Sequence, residues 1–212
     1  MEQKNTKQMI LEEALNLFST NGYDGVTIKD IAKAVGIKDS SLYKHFKSKQ
    51  ELYDSLLKEM NERFDETVSL YRLPQGEIKK VAEEYGRNDL VWLKQACKTV
   101  FLFFLKDPKA SQFRKMLMIE QYKNSTAASA LRNWFMDSSM KFQTELFTEM
   151  IAQGYYRDGP ADIIALQFYA PFYFLLCQYD TMPEKDEQAV ELLMRHIEQF
   201  ASVYQVRNGD EK

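Results

Sequence analysis

Thr27 opens a segment that leaves a chain few choices. Behind it, Ile28, Ile31, Ala32 and Val35 recur at the spacing of one helical face, while Lys29 and Lys33 fall on the other side. One face docks and the other stays wet. Gly36 stands where a helix stops in a left-handed residue, and Ile37 supplies the apolar contact that closes such a stop. The chain restarts at once, since Asp39 or Ser40 can cap a second helix that buries Leu42 and Phe46. Two short amphipathic helices joined by a tight glycine turn are a means of presenting a helix to the DNA major groove.

The second helix leaves Lys38, Ser40, Ser41, Tyr43, Lys44 and His45 on its exposed surface and ends, a set of donors suited to phosphate oxygens and base edges. Charge agrees, but only locally. The whole chain carries −3, yet between Thr27 and Lys49 six lysines face only Asp30 and Asp39, a net of +4 that leaves −7 for the remainder. A basic head is attached to an acidic body. Lysines on two helices also make an ordinary solvated surface, and it is the turn between the helices that favours nucleic acid.

Four blocks in order carry a family resemblance: Ile10 to Phe18, Asn21 to Thr27, Ile31-Ala32 through Gly36-Ile37, and Ser41 to Leu52. Together they resemble the DNA-binding domain of the tetracycline-repressor (TetR) family of bacterial regulators, over roughly the first quarter of the chain. The resemblance implies an all-α fold of about nine to ten helices, with a three-helix helix-turn-helix head over residues 1–49 and a helical ligand-binding and dimerisation domain over 50–212. It further implies a homodimer on a palindromic double-stranded operator, and repression relieved by a small molecule. One departure is Lys38-Asp39, where relatives often carry Ser followed by a basic or small residue; Asp39 would lie near phosphates and is expected to cap instead.

Each residue of the head then has an expected role. Thr27 caps its helix and can donate its hydroxyl to a phosphate, although capping alone would account for it. Lys38, Ser40, Ser41 and Lys44 lie at the start and outer face of the recognition helix, where side chains reach base edges. By resemblance, Tyr43 leans on the sugar–phosphate backbone instead of packing behind the helix. His45 can donate to a phosphate, and no neighbouring His or Cys suggests a metal. Lys49 follows Ser48, a candidate N-cap, so its ammonium and the amides opening the next helix are expected to converge on one phosphate. Gly22, Tyr23 and Gly25 form the bend after the first helix, with Tyr23 in the core.

At 212 residues and 45% hydrophobic, the chain can bury a core for one large or two small domains. Met1 to Lys7 is polar, with no charged-then-apolar leader, so a cytoplasmic protein is expected. Cys97 and Cys177 each sit inside an apolar helical pattern and read as buried small hydrophobes. No cofactor and no enzymatic activity are expected: His45 and His196 are far apart, no ligand cluster has metal spacing, and no glycine loop could cradle phosphate.

Beyond Lys49 the pattern is helical throughout, over 50–72, 76–87, 89–106, 109–123, 126–153, 160–179 and 185–206, with breaks at the prolines and glycines and at Lys123-Asn-Ser125. The helix leaving Ser48-Lys49 runs through Leu52, Leu56, Leu57, Met60 and Phe64 into the body, which makes it the natural lever. Three apolar stripes follow: Leu93, Cys97, Val100, Phe101 and Phe104; Phe113, Met116, Leu117 and Glu120; and Leu131, Phe135, Ser138, Phe142 and Leu146. Large residues on such stripes ordinarily fill a core. With the resemblance, and with Glu120, Gln121, Tyr122, Trp134 and Gln167 as polar handles, a pocket for a hydrophobic or aromatic effector is expected. Its candidate lining is Phe64, Trp92, Phe101, Phe104, Met116, Glu120, Trp134, Phe135, Phe168 and Phe172.

The penultimate helix, 162–179, is apolar on nearly every face and must be covered on all sides. Its run falls short of the roughly 20 residues of a bilayer span and contains Gln167 and Pro171, so no membrane partner is expected. The last helix adds Val190, Leu193, Met194, Ile197, Phe200, Ala201 and Tyr204. Two such helices from each of two chains would form a four-helix, twofold interface. The residues leave two further readings open: a DNA-binding regulator with no small-molecule inducer, acting constitutively or through a protein partner, and an enzyme with an aromatic-lined site.

Overall fold

The computed structural model describes residues 6–123 and 125–206, and among them the regular structure is helical apart from one isolated antiparallel bridge between Tyr156 and Gln205. Met1 to Asn5, the start of the polar opening, and Asn124, in the break after the fourth body helix, lie outside the described residues. The all-α expectation is met.

Helix α1 (Thr6–Asn21) buries Ile10, Leu11, Ala14, Leu15 and Phe18, and the chain turns through Gly22 at a φ of 76°. Helix α2 (Ile28–Val35) starts as the sequence requires. The Thr27 side chain accepts from the Asp30 N–H at 3.2 Å, and the Asp30 carboxylate accepts from the Thr27 N–H at 2.9 Å, a reciprocal capping box. Gly36 closes it in the left-handed region, φ 80°.

Helix α3 (Asp39–Leu42) departs from expectation. Its N-cap is Lys38, with no side-chain hydrogen bond, so neither Asp39 nor Ser40 caps it; Asp39 is already inside the first turn. The main chain closes that end by itself, the Lys38 carbonyl accepting from Ser41 N–H at 2.8 Å and Leu42 N–H at 3.2 Å. After Leu42 the chain tightens into turns, His45 N–H donating to the Leu42 carbonyl at 2.9 Å. Leu42 and Phe46 are both buried as expected. Burying a side chain such as Phe46 contributes about 2 kcal/mol, which anchors this short element where propensity alone could not.

Then follow α4 (Lys49–Leu70), α5 (Ile78–Arg87), α6 (Leu90–Lys106), α7 (Pro108–Glu120), α8 (Ser125–Arg132), a π-helical turn (Asn133–Asp137), α9 (Ser138–Ala152), α10 (Ala161–Tyr179) and α11 (Asp186–Tyr204). They divide into two compact units: Met1–Glu66 with Asp107–Leu131, and Thr67–Lys106 with Arg132–Lys212. This division by packing differs from the sequence boundary after residue 49. In the first unit α1 packs on α2 and α7, and α2 on α3, around Phe18, Phe113, Met116 and Leu117. In the second, α9 packs on α5 and α10, and α11 on α6 and α10. Val81, Leu146, Phe147, Met150, Tyr156, Ile164 and Phe200 form one of its cores.

The helix expected to run unbroken over 126–153 contains the π turn, and this corrects its stripe. A π turn holds an extra residue, so the face presented after it is rotated by about one position. Leu131, Phe135 and Leu146 are buried, but Ser138 and Phe142 are exposed, and Phe147 and Met150 go inward in their place. The turn is held from outside the helix by the Tyr169 hydroxyl, which donates to the Phe135 carbonyl at 2.9 Å, and from within by Ser138, which donates to the Asn133 side chain at 2.9 Å.

Helix α10 is not covered on all sides within one chain. Ile163, Leu166 and Phe174 are 45%, 50% and 62% exposed, and with Ala170 and Cys177 they make a continuous stripe along one face. Cys177 is thus exposed, against the expectation of burial, and it is a free thiol, as is Cys97. By length and composition alone this 19-residue helix could cross a membrane; in this fold it packs along α6, α9 and α11.

Candidate functional site

The surface carrying the predicted DNA contacts is built by α2, α3 and the turn after α3. Lys38, Ser40, Tyr43, Lys44 and His45 are exposed and Ser41 is half-exposed, while Leu42 and Phe46 hold the opposite side in the core. Lys29, Lys33 and Lys47, which the sequence reading did not single out as contacts, are exposed on the same small domain. Tyr43 is 53% exposed, which suits a side chain leaning on a partner and not one packed behind a helix. Thr27 is exposed, but its hydroxyl lies 2.6 Å from the Asp30 carboxylate, so its donor is used within the capping box. That hydrogen bond, with the main-chain one from Thr27, holds the Asp30 carboxyl below its ordinary pKa.

Lys49 is placed differently from the rest. Its Nζ donates to the main-chain carbonyls of Tyr23, at 2.8 Å, and Val26, at 3.0 Å, and lies 4.1 Å from the centroid of the Tyr23 ring. Ser48 does cap α4, its Oγ accepting from Glu51 N–H at 3.1 Å.

The ten candidate ligand-lining residues do not form one group. Within the second unit, Phe101, Phe104, Trp134, Phe135 and Phe172 come together in an aromatic layer between α6, the π turn and α10. Phe101 meets Phe172 at 5.3 Å, Phe104 meets Phe135 at 5.2 Å, and Phe104 meets Trp134 at 6.4 Å, mostly edge to face. Tyr169 and Tyr173 extend the layer, each against one of its rings. Trp92 packs on Tyr85 instead, and Phe168 belongs with Phe147 and Phe200, where His196 Nε2 is 3.0 Å from the Phe168 carbonyl. Phe64, Met116 and Glu120 lie in the first unit. Glu120 is 1% exposed, with its carboxylate against Gly22 in the bend after α1, and Met116 is core. Among the described residues, no three His, Cys, Asp or Glu side chains are placed to hold a metal ion.

The sequence profile described as "Bacterial regulatory proteins, tetR family" matches residues 10–56, which is α1, α2, α3 and the first turns of α4. Over residues 10–56 the chain matches the TetR family. Over 52 residues it is 52% identical to the biofilm operon icaADBC HTH-type negative transcriptional regulator IcaR of Staphylococcus aureus (strain Newman). That segment is 24% of this chain and 28% of IcaR, so the match spans little more than a quarter of the relative's length. The fold extends further. The SmeT–triclosan complex superimposes with a TM-score of 0.67 at 17% identity, covering 97% of this chain and 94% of SmeT. The fatty acid degradation regulator FadR from Bacillus halodurans gives 0.63 at 16% identity, covering 94% and 96%.

Within the TetR-family head, sequence reasoning missed what holds the bend after α1. Lys49 was assigned outward and Glu120 to a pocket, yet both side chains close on residues 22–26. A positive-φ Gly22 beside a buried carboxylate leaves no periodic signal that could have announced this.

Proposed function

We propose that this chain is a TetR-family transcriptional regulator, acting in the cytoplasm as a repressor, that binds a palindromic operator as a homodimer and is released by a small hydrophobic or aromatic molecule. The observation that carries the DNA-binding part is the exposed, basic α2–α3 surface, fixed from beneath by Leu42 and Phe46. Lys38, Ser40, Ser41 and Lys44 are assigned to base edges and phosphates and Tyr43 and His45 to the backbone, while Thr27, whose hydroxyl donates to Asp30, is assigned to capping α2.

The uncovered stripe Ile163, Leu166, Ala170, Phe174 and Cys177 on α10 supports the dimer, because an apolar strip of this length is expensive to leave in water and suits a self-complementary helix pair. A dimer places two recognition elements on one duplex, about 34 Å apart for a palindrome. The aromatic layer of Phe101, Phe104, Trp134, Phe135 and Phe172 supports an aromatic or hydrophobic effector, and SmeT, a protein of like fold, is known in a triclosan complex. For release, the effector must bind the low-affinity state of the protein more tightly than the operator-bound state; a difference of about 1–3 kcal/mol is typical.

The test is selection of bound sequences from random duplex DNA by the full chain. Enrichment of an inverted repeat supports the proposal, and recovery of no sequence at any salt concentration refutes it. For the effector, aromatic and acyl compounds should weaken binding to the selected duplex; if none does while binding persists, the regulator works without a small-molecule inducer.

A further inference from the structure

We propose that Lys49 is a positioning residue which clamps the bend between α1 and α2, and that its ammonium makes no phosphate contact. The proposal rests on the DNA-binding reading above and changes which groups carry it. An ammonium has three N–H donors and no acceptor. Two of those on Lys49 are directed at the carbonyls of Tyr23 and Val26, and the Tyr23 ring lies against the same charge. For a phosphate to take that ammonium, partly buried carbonyls would have to give up a charge-assisted hydrogen bond.

One amide at this helix end is also occupied, and an anion already stands beside it. Ser48 Oγ accepts from Glu51 N–H, and the Glu51 carboxylate accepts from Lys47 N–H at 2.6 Å. The negative charge favoured at a helix N-terminus is therefore already present as Glu51, and a phosphate arriving there would meet a carboxylate of its own sign. Two separate features, an ammonium turned inward and an anion already in place, point the same way.

What the clamp does follows from what it grips. Tyr23 sits 5.3 Å from both Phe18 and Tyr53, and its hydroxyl donates to Gln50 at 3.3 Å. Val26 is buried, and the next residue is Thr27, the N-cap of α2. By holding the carbonyls of residues 23 and 26 to the first turn of α4, Lys49 sets where α2 begins. Through the Gly36 turn it thereby sets where α3 presents Ser40, Ser41 and Lys44.

The test compares Lys49→Gln with Lys44→Gln in the full chain on the selected duplex, across a salt series. Each lost phosphate contact lowers the slope of log K against log salt by about 0.9, counted once per subunit. Lys49→Gln should weaken binding by about tenfold at every salt concentration and leave the slope unchanged, whereas Lys44→Gln should lower the slope. A slope reduced as much by Lys49→Gln as by Lys44→Gln overturns the proposal, and so does an unchanged affinity.

Should Lys49→Gln fail to fold, amine acylation of the unaltered chain gives the same decision. Lys49 should react more slowly than Lys38 and Lys44 in the free protein, with no change on adding the duplex. Reaction as fast as Lys44, followed by protection on DNA, contradicts the clamp. If the chain binds no DNA at all, the DNA-binding reading fails while the free-protein labelling still decides the clamp.

Discussion

Asp107 uses one carboxylate for two tasks: it caps α7, accepting from Ala110 N–H at 3.0 Å, and it pairs with Arg63 of α4 in a two-pronged bridge whose Nε–Oδ1 distance is 3.0 Å. Next to it, Lys109 Nζ reaches Glu59 of α4 at 2.7 Å and Glu12 of α1 at 3.7 Å. The start of α7 is therefore tied to α4 and to α1 by planar and branched charge contacts, inside the same compact unit as the DNA-binding head. Burial alone would raise the Asp107 carboxyl, but hydrogen bonds from Arg63 and from the N–H of Ala110 outweigh it and hold the pKa below its ordinary value; the Arg63 pKa is raised by the same hydrogen bond.

Asp107→Ala removes both cap and bridge and should cost about 1–2 kcal/mol, while Asp107→Asn, which keeps a capping oxygen, should cost less. Because the folded-state pKa is depressed, the stabilisation by the bridge is fully present above the ordinary carboxylate range and is lost as pH falls through the lowered value. Denaturant melts of the unaltered chain and Asp107→Asn should therefore differ at neutral pH and converge in acid. A constant gap at all pH values would remove the charge from the account.

Gly22→Ala should be costly for two reasons. The residue sits at a φ of 76°, and a Cβ there would run into the Glu120 carboxylate. The left-handed backbone alone accounts for about 1 kcal/mol. A measured cost larger than that, shrinking when Glu120→Ala is added, is the expected outcome of a double-mutant cycle. Strict additivity of the two substitutions would mean that the carboxylate does not fill the bend.

Tyr43→Ala should weaken binding to the selected duplex by roughly 10- to 100-fold. With Tyr43 more than half exposed, the thermal midpoint should hardly move, since surface changes stay within about 0.5 kcal/mol. Loss of stability with retained DNA affinity would place Tyr43 in the core instead.

Phe174→Glu, at the most exposed aromatic of the α10 stripe, should convert a dimer into monomers in sedimentation and weaken operator binding, without unfolding the chain. A dimer that survives this change and Leu166→Glu uses another face.

How far the sequence disclosed the molecule depended on the range of the interactions. The Thr27 cap, the left-handed Gly36 and the burial of Leu42 and Phe46 were legible because each is decided within a few residues. The shortness of α3 was not, since the main chain tightens after Leu42 without a proline or glycine to mark it. Nor was the π turn at Asn133–Asp137, whose outside support is the Tyr169 hydroxyl, 34 positions from the carbonyl it reaches. That turn alone moved Ser138 and Phe142 from an expected inner stripe to the surface. The surroundings of Lys49 and Glu120 were not legible for a related reason: a charge at the end of an apolar run looks the same whether it faces a ligand or main-chain atoms distant in sequence.

The central claim is that two copies of the α2–α3 surface read one duplex. Hydroxyl-radical footprinting of the full chain on its selected sequence measures this directly. Two protected patches on one face of the DNA, about 34 Å apart and related by the inverted repeat, are predicted. A single patch on an asymmetric site, or uniform protection that follows no sequence, would contradict it.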